Sequence, residues 1–319
     1  MKWNKLLVLV IALLQVMAAL SACSSPPSPE TGVITVSVVA TQNFGQKLMF
    51  AEVLEVPEGT SAMAALQKVA ETETAYGGGF VNAINGVRSG FTGGQKAKTD
   101  WFVYINGIQS NTGALDYKLH DGDIQHWDFH NWSFHQFIPA IVGDFPEPFL
   151  RGYGGIVHPT IIVFQDGWQE DAQRVAYKLN HLGLENVPIR GINELQENEK
   201  ESYNLMLLGT PDFPPIAELN QVWMRLGFYA HFQDGMLEVF DSGGEPAAEY
   251  GAGAGVIQAT QSLWNPKGIG VCENTVWIVS GSDTAGVKAA VNTLVYHDND
   301  FRYAYAVVIA AGEVIRVPQ

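Results

Sequence analysis

Four of the eight histidines in this sequence fall between His120 and His135. Around them, side chains suited to metal binding or proton transfer recur at a fixed interval: His126, Asp128 and His130 alternate with Gln125, Trp127, Phe129 and Asn131. Residues two apart on an extended strand share a face, so two imidazoles and a carboxylate lie within ~7 Å of their neighbours. Such a set is a candidate zinc or copper site, because neutral imidazole and carboxylate are ligands those ions accept. The same alternation also describes a polar, partly buried strand face at a domain junction, with histidines hydrogen-bonded to backbone. No Cys or Glu-x-x-His spacing accompanies the set.

The aromatic residues point to a different chemistry. Trp101, Tyr104, Trp127, Phe129, Trp132, Phe134 and Phe137 crowd a short span, and a flat ligand stacks on such rings. A domain core or interface uses the same residues. Trp127 and Phe129 alternate as core residues do, whereas Trp132 and the polar run Gln109, Ser110, Asn111 are expected at the surface. Two glycine-rich stretches are weaker signals. Gly251-Ala-Gly-Ala-Gly255 lacks a preceding apolar strand. Val279-Ser-Gly-Ser-Asp-Thr-Ala-Gly286 follows a strand and opens a helix, yet lacks the Gly-Lys-Ser/Thr of a phosphate loop, so Ser282 or Asp283 is expected as a helix cap. No Gly-x-Ser-x-Gly or His-Glu-x-x-His motif is present, and the chain is expected to be a binding protein with no catalytic residues.

The N-terminus fixes a compartment. Lys2 and Lys5 precede an apolar run from Leu6 to Leu14, too short to span ~30 Å of hydrocarbon. Leu20, Ser21, Ala22 and Cys23 then match the lipobox at which a bacterial export signal is cut and the cysteine acylated. The expectation is a signal peptide over 1–22, lipid attachment at Cys23, a Pro/Ser tether over 23–32, and an extracytoplasmic protein held to the cell membrane by lipid alone. Over 319 residues the net charge is −15, which argues against a nucleic-acid partner. With 2 cysteines, Cys272 has no disulfide partner once Cys23 is acylated.

The elements that must position these residues divide into two groups. A strand over 33–39, a strand over 48–56, a helix opened by Thr60 or Ser61 with Met63, Leu66 and Val69 inward, and a strand over 124–132 make a small α+β domain over 33–140. Its hairpins are signalled by Asn85-Gly86 and Asn106-Gly107, since a type I′ turn needs positive φ at both central residues. A strap over 141–155 leads to an α/β domain over 156–319. There, strands near 160–164, 204–208, 274–280 and 303–309 alternate with helices near 171–184, 216–226 and 284–297, predicting a mostly parallel sheet.

An ordered series of motifs gives the first domain a family likeness. Pro57-Glu-Gly-Thr-Ser61, Tyr76-Gly-Gly-Gly-Phe80 with Ile84-Asn-Gly86, Trp101-Phe-Val-Tyr-Ile-Asn-Gly107, Gly113-Ala-Leu-Asp-Tyr117 and His120-Asp-Gly-Asp123 resemble, in order, the C-terminal domain of transcobalamin and intrinsic factor, catalogued in bacterial lipoproteins as DUF4430. The resemblance implies a β-grasp-like fold covering one face of a corrinoid. The family's ligand loops would correspond to residues 76–80 and 108–113, so Tyr76, Phe80, Gln109, Ser110, Asn111, Thr112 and Gly113 join Trp101 and Trp132 as candidate ligand-binding residues. It also gives the histidine set a further use, an axial imidazole near a corrinoid cobalt. The carriers close the ligand against an all-helical barrel, which is missing here, so half of that site is absent or replaced. The expected role is capture of a small planar ligand, a corrinoid such as cobalamin, for a membrane vitamin importer, with no cofactor required. The alternative is a non-catalytic cell-envelope structural or adhesion module that binds protein or glycan, with an envelope polymer as its partner.

Overall fold

The computed structural model describes residues 32–319; the signal segment, Cys23 and the tether as far as residue 31 lie outside the described residues. Alternating β-branched residues form β1 (Val33–Gln42), followed by β2 (Lys47–Pro57). The helix α1 (Ala62–Val69) is capped by Ser61, whose hydroxyl accepts from the Ala64 N–H at 3.2 Å. A small antiparallel sheet follows, made of β3 (Thr72–Ala75), β4 (Phe80–Ile84) and β5 (Val87–Arg88). Then come β6 (Thr99–Ile105), β7 (Ile108–Gln109) and β8 (Ile124–Asn131).

The first large sheet runs β2-β1-β8-β6-β7, with β8 parallel to β1 and antiparallel to β6. Both Asn-Gly pairs form the hairpins that their conformational freedom favours. Ile84 pairs with Val87 across Asn85 (φ 47) and Gly86 (φ 80), and Ile105 pairs with Ile108 across Asn106 (φ 52) and Gly107 (φ 76). One face of this sheet closes a core with α1: Val36, Val38, Met63, Leu66, Ile84, Trp101 and Trp127 pack together.

The second half contains β9 (Thr160–Phe164), α2 (Gln169–His181), β10 (Ile189–Gly191), α3 (Glu197–Ser202), β11 (Asn204–Gly209) and α4 (Pro214–Gln221). An antiparallel meander follows: β12 (Ala230–Gln233), β13 (Met236–Phe240) and β14 (Pro246–Tyr250). The chain ends with β15 (Gly255–Gln261), β16 (Thr275–Gly281), α5 (Thr284–Tyr296), β17 (Ala306–Ala310) and β18 (Glu313–Val317). Seven strands line up as β10-β9-β11-β16-β15-β17-β18. The expectation of a mostly parallel sheet is corrected here. The β10-β9, β9-β11 and β11-β16 pairs are parallel, but β16-β15, β15-β17 and β17-β18 are antiparallel. The strand that changes the pattern is β15, a fully buried segment with Gln258, Thr260 and Gln261 among its residues, where no strand is expected from sequence.

Layers on both faces cover the parallel strands, which is why their sequences are continuous apolar runs. Ile162, Met206, Leu208 and Trp277 meet α2 and α5, while Ile161, Val163, Leu205 and Leu207 meet α4. Phe44 and Tyr104 from the first half pack with Ile138, Ile141, Tyr229, Val256 and Tyr305 in one further cluster, and residues Ile34–Gln319 form one compact unit. The architecture is mixed α+β. Among the described residues no helix is long and apolar enough to cross a membrane.

Candidate functional site

A cleft of about 490 Å³ opens where β4, β6 and the loop after β7 converge. Its volume falls within the range of about 300–1,000 Å³ typical of small-molecule sites. Eight residues expected to bind ligand line it: Phe80, Trp101, Gln109, Ser110, Asn111, Thr112, Gly113 and Trp132. Tyr76, the ninth, opens the short turn Tyr76–Gly78 just ahead of β4.

The polar loop is built into place. The Gln109 amide oxygen accepts from Ile138 N–H at 2.9 Å, and the Gln109 N–H donates to the Pro139 carbonyl at 3.0 Å. Ser110 Oγ lies 2.7 Å from the Tyr153 hydroxyl, and the Asn111 amide donates to the Gly270 carbonyl at 3.1 Å. Thus the strap and the second half both grip this loop. These bonds explain a departure from expectation: Asn111 is exposed, whereas Gln109, Ser110 and Trp132 are half-buried.

Aromatic rings make the walls. Trp101 and Trp127 are 4% and 3% exposed, so most of each ring belongs to the core; their indole N–H groups donate to the Val87 carbonyl and the Gln125 side chain. Trp132 presents more, with the Phe91 ring against it at 5.3 Å in an edge-on contact. Phe91 is 52% exposed. It stands on the tight turn Phe91–Gln95, among the glycines 90, 93 and 94.

The residue that organises these walls is Asp100, which sequence reasoning missed. Its Oδ2 accepts the Trp132 indole N–H at 2.8 Å, and its Oδ1 accepts from the Thr92 hydroxyl at 3.0 Å and the Thr92 N–H at 3.3 Å. One carboxylate therefore fixes both the Phe91-bearing turn and the Trp132 ring packed against it. Phe91, Thr92, Phe102 and Gln136, also missed, are among the other lining residues. Phe91 carried a sequence signal, an aromatic residue flanked by glycines; Asp100 carried none, because both its partners are distant in sequence.

The His126, Asp128 and His130 face points the other way, into the core shared by the two halves. All three side chains are buried. His126 Nδ1 lies 2.9 Å from Asp144 Oδ1, and its Nε2 lies 2.8 Å from Thr41 Oγ1. The Thr41 hydroxyl donates to Asp128 Oδ1 at 2.5 Å. Asp128 also accepts from the backbone N–H groups of Phe44 at 3.0 Å and Gly45 at 3.1 Å, and its Oδ2 lies 3.0 Å from His130 Nδ1. That nitrogen also faces the Tyr305 hydroxyl at 3.1 Å. With the Thr41 proton directed to Asp128, the Thr41 oxygen is left to accept from Nε2, while Nδ1 faces the Asp144 side chain. Burial lowers the His126 pKa, but the charge and hydrogen bond of Asp144, with Asp128 beyond, outweigh that and raise it above the ordinary histidine value. Burial likewise raises Asp128, and His130, Thr41 and His126 together bring it below the ordinary carboxylate value.

The metal-site expectation for these three residues is therefore corrected. Their potential ligand atoms are turned toward protein partners, and among the described residues no group of three or more His, Cys, Asp or Glu is placed to hold a metal ion. The partners are mostly side chains, where sequence analysis had expected backbone. The phosphate-loop signal at 279–286 also has a structural explanation. Asp283 caps α5, its Oδ1 accepting from Gly286 N–H and its Oδ2 from Gly253 N–H, both at 2.9 Å. A carboxylate thus occupies the anion-favouring helix end.

Comparison with known proteins bears mainly on the first half. Residues 59–131 match the model of a family described as a domain of unknown function, DUF4430. No curated protein matches the chain. Among solved structures, haptocorrin in complex with Cbi is 14% identical, over 34% of this chain and 28% of that one, with a TM-score of 0.27. The chain thus spans little more than a quarter of the haptocorrin chain. A protein from Ruminococcus gnavus ATCC 29149, provisionally described as metal binding, is 19% identical over 31% of this chain and 96% of that one, with a TM-score of 0.23.

Proposed function

We propose that this chain is a binding protein that holds a small planar ligand in the aromatic cleft. The observation that carries this is the convergence of Phe80, Phe91, Trp101, Phe102 and Trp132 on one cavity with a fixed polar loop, Gln109 to Gly113, along its other side. Ring faces supply stacking area and the loop supplies orientation, the division of labour common in ligand sites. The five-stranded sheet, with its parallel β1-β8 pair and α1 packed on one face, is read as β-grasp-like.

A corrinoid is the ligand to which the ordered motif series points. In that reading Cys23 carries lipid, the folded part stands outside the cell membrane, and the ligand is presented to a membrane importer. Catalysis is not assigned. Asp100, the ionisable side chain in the cleft lining, is engaged in binding Trp132 and Thr92. The test is titration of the full chain, purified in detergent, with hydroxocobalamin and with cobinamide, followed by absorbance and tryptophan quenching. Saturable change is expected in the micromolar range; its absence with both at tens of micromolar removes the corrinoid reading.

A further inference from the structure

We infer that the cleft selects a planar ligand that carries positive charge, and that Asp100 is the group that reads this charge. The assignment rests on the planar-ligand reading above and adds the chemical class to it. Every lining side chain except Asp100 is aromatic, aliphatic, amide, hydroxyl or glycine. Asp100 is 5% exposed, and the donors on its oxygens are all neutral: Thr92 N–H, Thr92 hydroxyl and the Trp132 indole. Among the described residues no Lys, Arg or His lies within ion-pair distance of it.

No cationic side chain offsets Asp100, and a low-dielectric surround lets a carboxylate act electrostatically across the cleft. Trp132 works in the same direction, since an aromatic quadrupole is negative over the ring face. Trp132 shows the effect: the Lys98 ammonium, outside the cleft lining, lies 5.5 Å over its ring. An anionic ligand would meet Asp100 and Trp132 with no cation in the lining to receive it. A cation is attracted by both.

The experiment compares three planar probes of one shape on the full chain at neutral pH and low ionic strength, by tryptophan quenching and calorimetry. These are N-methylacridinium, acridine and acridine-9-carboxylate, which carry positive, zero and negative charge. The cation is expected to bind about tenfold or more tighter than acridine, with the anion weakest and the preference narrowing as salt is raised. In Asp100→Asn the ratio of cation to neutral affinity should fall toward one. Equal affinity of acridine and N-methylacridinium in the unaltered chain overturns the charge assignment and leaves the planar-ligand reading standing. A preference that survives Asp100→Asn overturns the role of Asp100. If none of the probes, nor a corrinoid, binds, both readings fall together. Should Asp100→Asn not fold, Asp100→Ser takes its place and is read by the same ratio of cation to neutral affinity.

Discussion

The Asp100 carboxylate accepts the Trp132 indole N–H at 2.8 Å while its second oxygen holds Thr92. A single strand residue thereby holds Trp132 and the Phe91-bearing turn, whose rings touch, in place at the cleft. Asp100→Ala leaves the indole N–H and the Thr92 donors without their partner, at a cost of about 1–3 kcal/mol. Urea denaturation should show that loss, together with a red-shifted tryptophan emission as Trp132 gains solvent.

The network behind the cleft makes stability depend on pH in both directions. His126 has its pKa raised on folding, so its contribution is complete below about 6.5, the ordinary histidine value, and is lost as pH rises through the higher folded value. Asp128 has its pKa lowered, so its contribution is present above about 3.9 and is lost as pH falls through the depressed folded value. Thermal melting across the pH range should therefore peak in the mildly acidic region. His126→Gln should flatten the alkaline limb and reduce the acid limb only in part, because His130 and Thr41 still hold Asp128.

Local signals carried much of the first half. Asn85-Gly86 and Asn106-Gly107 dictate their turns by backbone conformation alone, and Ser61 announces α1 by its cap. The loop residues 109–113 entered as candidates through the family likeness, and the structure places them with Trp132 along one cleft. What sequence hid was set by partners far along the chain. Thr41 and Asp144 meet His126 only because β1 lies beside β8 and the strap folds back. Asp100 likewise acquires its role only when Thr92 and Trp132 arrive. The strand β15 carries polar residues whose burial depends on neighbours on both sides, so no strand is expected there and the sheet reads as more parallel than it is.

Cys272 is the free cysteine among the described residues, 4% exposed, its thiol donating to the Gln109 carbonyl at 3.2 Å. Burial pushes its pKa up, which lowers the thiolate fraction available for attack. In the native protein it should resist a thiol reagent such as 5,5′-dithiobis(2-nitrobenzoate) for hours, and react within minutes in denaturant. Rapid native labelling at Cys272 would show that the loop carrying Gln109 opens freely.

Gly286 sits in the first turn of α5, where a Cβ would lie 2.1 Å from the Ala254 carbonyl oxygen. Helix propensity alone favours alanine there by about 1 kcal/mol. The clash is with backbone that cannot rotate away, and overpacking of this kind costs about 1–3 kcal/mol. Gly286→Ala should therefore lower the melting temperature, whereas a phosphate-binding role would predict no such loss in the absence of ligand.

The most direct test of the cleft is Phe91→Ala, because Phe91 is half exposed and its removal should leave stability within about 0.5 kcal/mol. The full chain and this variant are titrated with hydroxocobalamin, cobinamide and N-methylacridinium, following tryptophan quenching, with melting temperatures measured alongside. The account predicts saturable quenching by a planar probe in the unaltered chain, weakened several-fold in Phe91→Ala at unchanged melting temperature. No saturable quenching by any probe, or equal affinity in both proteins, would contradict it.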